Sequence, residues 1–200
     1  MLQVEQTKKY FDSIAKDYLR ATASFPWNII RKKEFRQMQV ILADQAFQNT
    51  LELGCGAGFY TGLLSECTEE KVTAIDISLK MLEQFSYKNV EKVNSAIEEF
   101  TPPREFDLVF SVGSIEFLDS PKKFFKLAKE SLGKNGTLII VVPHKGFLTR
   151  SYQLFHLIGK REIKLYSRDE LLSIAAEHQF SLAESHPFAP FNHYYQFKIK

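Results

Sequence analysis

Residues 51–58, Leu-Glu-Leu-Gly-Cys-Gly-Ala-Gly, constrain this chain more than any other stretch. An apolar run carrying one carboxylate, Glu52, breaks into glycines at 54, 56 and 58. Twenty residues after Gly56, a second apolar run over 72–75 ends in Asp76. That is the spacing of a strand, a glycine turn, a helix and a second strand closed by an acid placed to grip a ribose. Such a chain must wind strands and helices alternately, and its turn points to an adenosine-containing ligand.

The rest of the sequence agrees with that winding. In the first fifty residues Val4, Tyr10, Phe11, Ile14, Ala15, Tyr18 and Leu19 recur near helical spacing, and a second helical pattern opens at Trp27 after a break over 23–26. From Thr50 onward, short apolar runs at 50–54, 71–76, 90–94, 106–112 and 136–142 predict strands with helical segments between them. Alternation of this kind predicts an α/β fold, a mainly parallel sheet with helices on both faces. Asp119-Ser120-Pro121 reads as a helix start with a capping side chain ahead of a proline, and Ser167 with Glu170 reads as a capping box. Two late candidate strands, 179–184 and 193–200, leave no room for a crossover helix and should pair antiparallel. Length favours one domain over 1–200, with a helical cap over 1–48 on a core over 49–200.

Composition narrows the partners. A net charge of +2, with 44% hydrophobic and 25% charged residues, gives no strong attraction to nucleic acid or to a membrane surface. The run Arg31-Lys32-Lys33 reads as a solvated helix face. Cys55 and Cys67 are too few for a disulfide framework, and no spacing suggests zinc, so no metal is expected. There is no signal-peptide pattern and no apolar run of the ~20 residues that a spanning helix requires. A cytoplasmic, reduced protein is the default expectation.

Two adenosine ligands compete for the turn. A dinucleotide site needs G-x-G-x-x-G with anion-friendly surroundings, yet the sixth position is Phe59 counting from Gly54 and Thr61 counting from Gly56. Glu52 would repel a diphosphate and suits a ligand with an ammonium and a sulfonium. Electrostatics therefore favours S-adenosylmethionine over NAD.

At these residues the chain resembles the class I S-adenosylmethionine-dependent methyltransferases. The stretch 51–58 is similar to their motif I, Ala-Ile-Asp-Ile-Ser at 74–78 to the following acidic motif, and Phe-Asp-Leu-Val-Phe-Ser at 106–111 to motif IV. The run 132–143 resembles the helix end that leads into strand 5. The opening 10–18, Tyr-Phe-Asp-Ser-Ile-Ala-Lys-Asp-Tyr, is similar to the N-terminal helix of the small-molecule branch that includes quinone-biosynthesis methyltransferases. The resemblance implies a seven-stranded sheet in the order 3-2-1-4-5-7-6 with only strand 7 antiparallel. It implies that Gly54, Cys55, Gly56 and Gly58 line the methionine and ribose part of the cofactor and that Asp76 holds the ribose hydroxyls. Ile77 and Met81 would lie against the adenine, Ala96 and Ile97 would present its edge contact, and Ser111 and Val112 would face the methionine end. Relatives often carry an acid before the adenine contact; here Asn94 and Ser95 stand instead.

A sulfonium methyl is already activated, so catalysis is mostly placement of a nucleophile, which supplies roughly 7–11 kcal/mol. A hydroxyl acceptor would also need a base, and His144, following Pro143 at the end of strand 5, is the candidate. Glu116 is a further candidate, while Asp119 is better explained as a helix cap. Tyr10 and Tyr18, on the helix that caps the site in relatives, are candidates to touch cofactor or substrate. The aromatic and basic segment 144–166 (Phe147, Arg150, Tyr152, Phe155 and His156) suits an apolar or planar small-molecule acceptor. A transfer-RNA base methyltransferase, an NAD-dependent oxidoreductase and a silent cofactor-binding subunit stay open as alternatives.

Overall fold

The computed structural model describes residues 2–25, 27–143, 145, 163–188 and 191–200. Two helices open the chain, α1 (Leu2–Thr22) and α2 (Trp27–Leu42). Seven strands follow: β1 (Phe47–Leu53), β2 (Thr68–Asp76), β3 (Val90–Asn94), β4 (Phe106–Val112), β5 (Leu132–Pro143), β6 (Phe180–Phe188) and β7 (Asn192–Ile199). Helices α3 (Thr61–Cys67), α4 (Leu79–Leu82), α5 (Pro121–Ser131) and α6 (Arg168–Glu177) lie between them.

The strands form one sheet in the order β3-β2-β1-β4-β5-β7-β6. The β1–β2, β1–β4, β2–β3 and β4–β5 pairings are parallel, and β7 runs antiparallel to both β5 and β6. This is the order that the resemblance to the class I methyltransferases implies, and the antiparallel pairing of the two late strands is the one that their short connection predicts. The strand order reverses direction between β1 and β4, and ligands gather in the crevice beyond the strand ends at such a switch point.

Side-chain alternation along the strands divides the core into two layers. Val109, Leu138 and Ile140 point to the face covered by Phe124, Phe125 and Ala128 of α5 and by Leu171 and Ala175 of α6. Their neighbours Leu108, Phe110, Ile139 and Val141 point to the other face, against Met38 and Leu42 of α2 and Leu63 and Leu64 of α3. Burial on both faces explains why the central runs read as continuously apolar.

Boundaries differ from expectation where apolar patterning fades. β1 and β2 begin three residues earlier than the apolar runs, each with one buried residue, Phe47 or Thr68, followed by two polar ones, and β5 extends back from Gly136 to Leu132. The Ser167 capping box is present: Ser167 Oγ accepts the Glu170 amide at 3.2 Å and Glu170 Oε2 accepts the Ser167 amide at 2.6 Å. The proposed cap of α5 is corrected. Ser120 occupies the cap position with Pro121 behind it but makes no side-chain cap hydrogen bond, and exposed Asp119 contributes only its carbonyl, to Lys164 Nζ at 2.7 Å.

Candidate active site

β1 ends at Leu53 and the chain turns at once. The Gly54 and Cys55 amides both donate to the Ile75 carbonyl at 2.9 Å, folding the turn across the end of β2. Gly54 takes φ +74°, and a Cβ there would lie 2.2 Å from Ser114 Oγ. Gly56 takes φ +54°, yet an added Cβ would meet nothing within 4 Å. The main chain at Gly56 therefore borders open space that a side chain would fill.

Two buried acids flank that space. Asp76 Oδ2 accepts the Gly56 amide and Oδ1 accepts the Ser78 amide, each at 2.8 Å. Burial raises the Asp76 carboxyl, with the two amides pulling the other way. Glu52, only 3% exposed, accepts from Thr61 Oγ1 at 2.6 Å. Burial pushes its carboxyl up to about 8, against the Thr61 hydrogen bond and with help from the charge of Asp76. A positive ligand charge beside these groups would relieve both.

The cavity they border encloses about 940 Å³ of empty volume with its open mouth included. Of the residues singled out in the sequence, Glu52, Gly54, Cys55, Gly56 and Asp76 line it, as do Ile77, Met81, Ala96, Ile97 and Val112. Tyr18 lines it as well. Tyr10 does not; its ring packs edge-on against Phe11, 5.3 Å between centroids. Gly58 is also set back: at φ +79° a Cβ would collide with Phe85 at 2.4 Å, so this glycine serves close packing. Ser111 turns inward and donates to the Leu53 carbonyl at 2.9 Å, tying β4 to β1. Asn94 donates to the carbonyls of Asp76 and Ile77 at 3.0 and 2.9 Å, and an acid reaches the cavity four residues later, at Glu98. Glu116 is buried behind β4 without lining the cavity. His144, Phe147, Arg150, Tyr152, Phe155 and His156 fall outside the described residues.

Helix α1 forms the roof. Phe11, Ile14, Ala15 and Tyr18 pack with Ala57 and Met81, and Ser78 Oγ donates to Asp12 Oδ1 at 2.6 Å. Lys8 holds the same carboxyl at 2.6 Å. Partial burial would raise the Asp12 carboxyl, but the Lys8 and Ser78 hydrogen bonds keep it below its ordinary value.

Sequence reasoning missed part of the wall. Arg31 is no solvated face residue: it lines the cavity while its neighbours Lys32 and Lys33 are exposed. Phe59, Tyr60, Ser114 and Phe117 line it too. Phe59 and Tyr60 follow the glycine turn directly, and that adjacency was the available signal.

A methyltransferase-domain family model matches residues 51–140, the stretch that holds the end of β1, the glycine turn, β2 with Asp76, β3, β4 and most of β5. Residues 51–140 thus carry a methyltransferase domain, in line with the resemblance to the class I S-adenosylmethionine-dependent methyltransferases. Among curated proteins the chain is 28% identical over 118 residues to a mitochondrial ubiquinone biosynthesis O-methyltransferase of Dictyostelium discoideum, covering 50% of this chain and 37% of that one. It is 26% identical over 205 residues to a malonyl-[acyl-carrier protein] O-methyltransferase of Priestia megaterium, covering 94% and 72%. A tRNA U34 carboxymethyltransferase of Alteromonas mediterranea is 30% identical over 105 residues, covering 46% and 32%. The chain thus spans little more than a third of the first and about a third of the last. Among solved structures, the DhpI–SAH complex superposes with a TM-score of 0.78 at 20% identity, covering 98% of this chain and 96% of that one. Magnesium protoporphyrin IX methyltransferase of Synechocystis PCC 6803, with bound SAH, gives 0.78 at 15% identity, covering 99% and 100%. At these identities the structures share the methyltransferase fold.

Proposed function

We propose that this chain transfers a methyl group from S-adenosylmethionine to a small, apolar or planar acceptor. The observation that carries the reading is Gly56: its amide is fixed by Asp76, and the open space beside it is flanked by a second buried acid, Glu52. Relatives named as a ubiquinone biosynthesis O-methyltransferase and a malonyl-[acyl-carrier protein] O-methyltransferase, the second acting on a small acyl group borne by a carrier protein, support it. When bound, S-adenosylmethionine supplies a sulfonium methyl, an electrophile already activated.

This chain's own residues then have three tasks. Asp76 retains acceptor capacity on both oxygens for the ribose hydroxyls, Ile77, Met81 and Ile97 supply apolar wall for the base, and Glu52 offers negative charge to the ammonium. Helix α1 and its Asp12–Ser78 bond exclude water from above. His144, next after the last residue of β5, is the candidate base for a hydroxyl acceptor, a role worth about 10²–10⁴-fold. The first 48 residues act as the cap of a single catalytic domain on this reading, and the two free cysteines, Cys55 and Cys67, suit a reducing cytoplasm. Among the described residues no helix is long and apolar enough to cross a membrane.

Thermal shift with S-adenosylmethionine against NAD, followed by labelled methyl transfer to an acceptor panel, tests the reading. Stabilisation by NAD alone would replace it with the oxidoreductase alternative; donor binding with no acceptor methylated would favour a silent binding subunit.

A further inference from the structure

Arg31 stands where two hollows meet. It lines the cavity together with Phe59 and Tyr60, and it lines a second groove between α1 and α2 that shares Arg31 and Phe59 with the first. The charged side chains of that groove are Arg31, Lys32 and Arg36, with no carboxylate among its described lining residues. Phe35 and Phe59 form its apolar wall, edge to face at 5.6 Å.

The guanidinium is held in place rather than consumed. Arg31 Nη1 lies 3.3 Å from Glu34 Oε2, Nη2 donates to the Tyr18 hydroxyl at 3.1 Å, and the group sits 5.0 Å from the centre of the Phe59 ring. Glu34 is anchored by its other oxygen, which accepts from Asn192 Nδ2 at 2.8 Å. An arginine has five N–H donors in a rigid fork, so two such contacts fix its plane and leave donors for a further oxyanion. Beside it the Tyr60 hydroxyl is buried close enough to the guanidinium to interact with it, yet no partner meets it at full hydrogen-bond geometry. A buried hydroxyl in that state is a standing penalty that an incoming oxygen would remove.

We propose that the α2 side of the cavity is an oxyanion subsite for the methyl acceptor: a small molecule with a planar or apolar body and a carboxylate or phosphate head, gripped by Arg31 and Tyr60. Lys32 and Arg36 along the groove draw the head inward, and Phe59 covers the body. The assignment rests on the methyl-transfer reading of the same cavity and specifies its acceptor. The one-sided charge of the groove carries it, because the chain as a whole is nearly balanced at +2.

The test is equilibrium binding by the full chain, saturated with S-adenosylhomocysteine, of 2-naphthoate, 2-naphthyl phosphate and 2-naphthamide. At least one anion should bind 10-fold or more tightly than the amide, and the two anions tell carboxylate from phosphate. Tyr60→Phe and Arg36→Gln should each weaken that anion 3- to 10-fold, leaving the amide and S-adenosylhomocysteine within 2-fold. Arg31→Gln alone would strand buried Glu34, so Arg31→Gln/Glu34→Gln is the folded counterpart, and it should abolish the preference. Equal affinities for anions and amide, or a preference that survives the double variant, would overturn the subsite while leaving donor binding intact. Transfer RNA binding more tightly than either anion, with the same sensitivity to Arg36→Gln, would overturn it in favour of a nucleic-acid acceptor. Failure of S-adenosylhomocysteine to bind the unaltered chain would remove the methyl-transfer reading and the subsite with it.

Discussion

Asp76 Oδ2 accepts the amide of Gly56 at 2.8 Å, twenty residues back along the chain, so the acid expected to hold the ribose also fixes the glycine turn. The two roles are compatible because each carboxylate oxygen has a second lone pair. Asp76→Ala should weaken S-adenosylmethionine by about 1.5–3 kcal/mol, the value of charge-assisted hydrogen bonds. It should also loosen the turn, seen as faster amide exchange at Gly56. Unchanged affinity by calorimetry would dismiss the ribose role; unchanged exchange would dismiss the anchoring one.

Gly56 and Gly58 should fail differently when given a side chain. A Cβ on Gly56 projects into open space, so Gly56→Ala should fold, losing about 1–2 kcal/mol to its left-handed backbone, and should lose donor binding. A Cβ on Gly58 would strike the Phe85 ring. Gly58→Ala should therefore cost stability first, with partial rescue by Phe85→Ala. Urea melts and donor titrations on the three variants separate the cases, and identical behaviour of the two alanine variants would contradict this division.

The fold was legible because a buried parallel sheet writes long apolar runs, and glycines with a downstream acid mark the turn between its first two strands. Strand ends such as 47–49 and 68–70 were not legible, since their pairing is with backbone and polar neighbours such as Asp107 and Glu69. In the site, residues fixed by main-chain geometry were readable from spacing alone: Gly54, Gly56 and Asp76. Arg31 was hidden. Its inward course depends on Glu34, Tyr18 and Asn192, the last 161 positions away, and no local pattern records such a partner. Tyr10 and Tyr18 carry equal weight in the sequence, yet only the helix phase set by Ala15 against Met81 turns Tyr18 toward the cavity.

Glu52 gives the protein a distinctive pH dependence. Its folded carboxyl sits at about 8 against an ordinary 4.5, so its contribution to stability is full below pH 4.5 and is lost as pH climbs through 8. The total is on the order of 5 kcal/mol for a fully buried group. Urea unfolding from pH 5 to 9 should show the unliganded chain losing stability across that window, and Glu52→Gln should flatten the loss. Saturating S-adenosylmethionine should flatten it too, by pairing the ionised acid with a positive charge. Parallel pH profiles for the chain and Glu52→Gln would show that Glu52 titrates normally.

Ser78 links the roof of the cavity to its floor. Its hydroxyl donates to Asp12 on α1, while its amide bonds Asp76 Oδ1 at the end of β2. The same hydroxyl accepts the Met81 amide at 3.2 Å, capping α4. Ser78→Ala removes the Asp12 bond and the cap but leaves the amide to Asp76, so the floor stays while the roof is released. Loss of a cap and of one hydrogen bond to a charged group predicts about 1.5–3 kcal/mol less stability. Asp12→Asn keeps an acceptor for Ser78 and weakens only the pairing with Lys8, so it should fall between Ser78→Ala and the unaltered chain. If α1 shields bound donor from water, donor dissociation should quicken several-fold in Ser78→Ala, with hydrogen exchange rising over residues 4–18 and staying unchanged in β1 and β4. Stopped-flow release and exchange mass spectrometry read the two effects. Exchange confined to α4, with donor release unaltered, would mean that Ser78 caps its own helix and that α1 is held without it, by packing on Met81 and Ala57 and by the Arg31–Tyr18 bond.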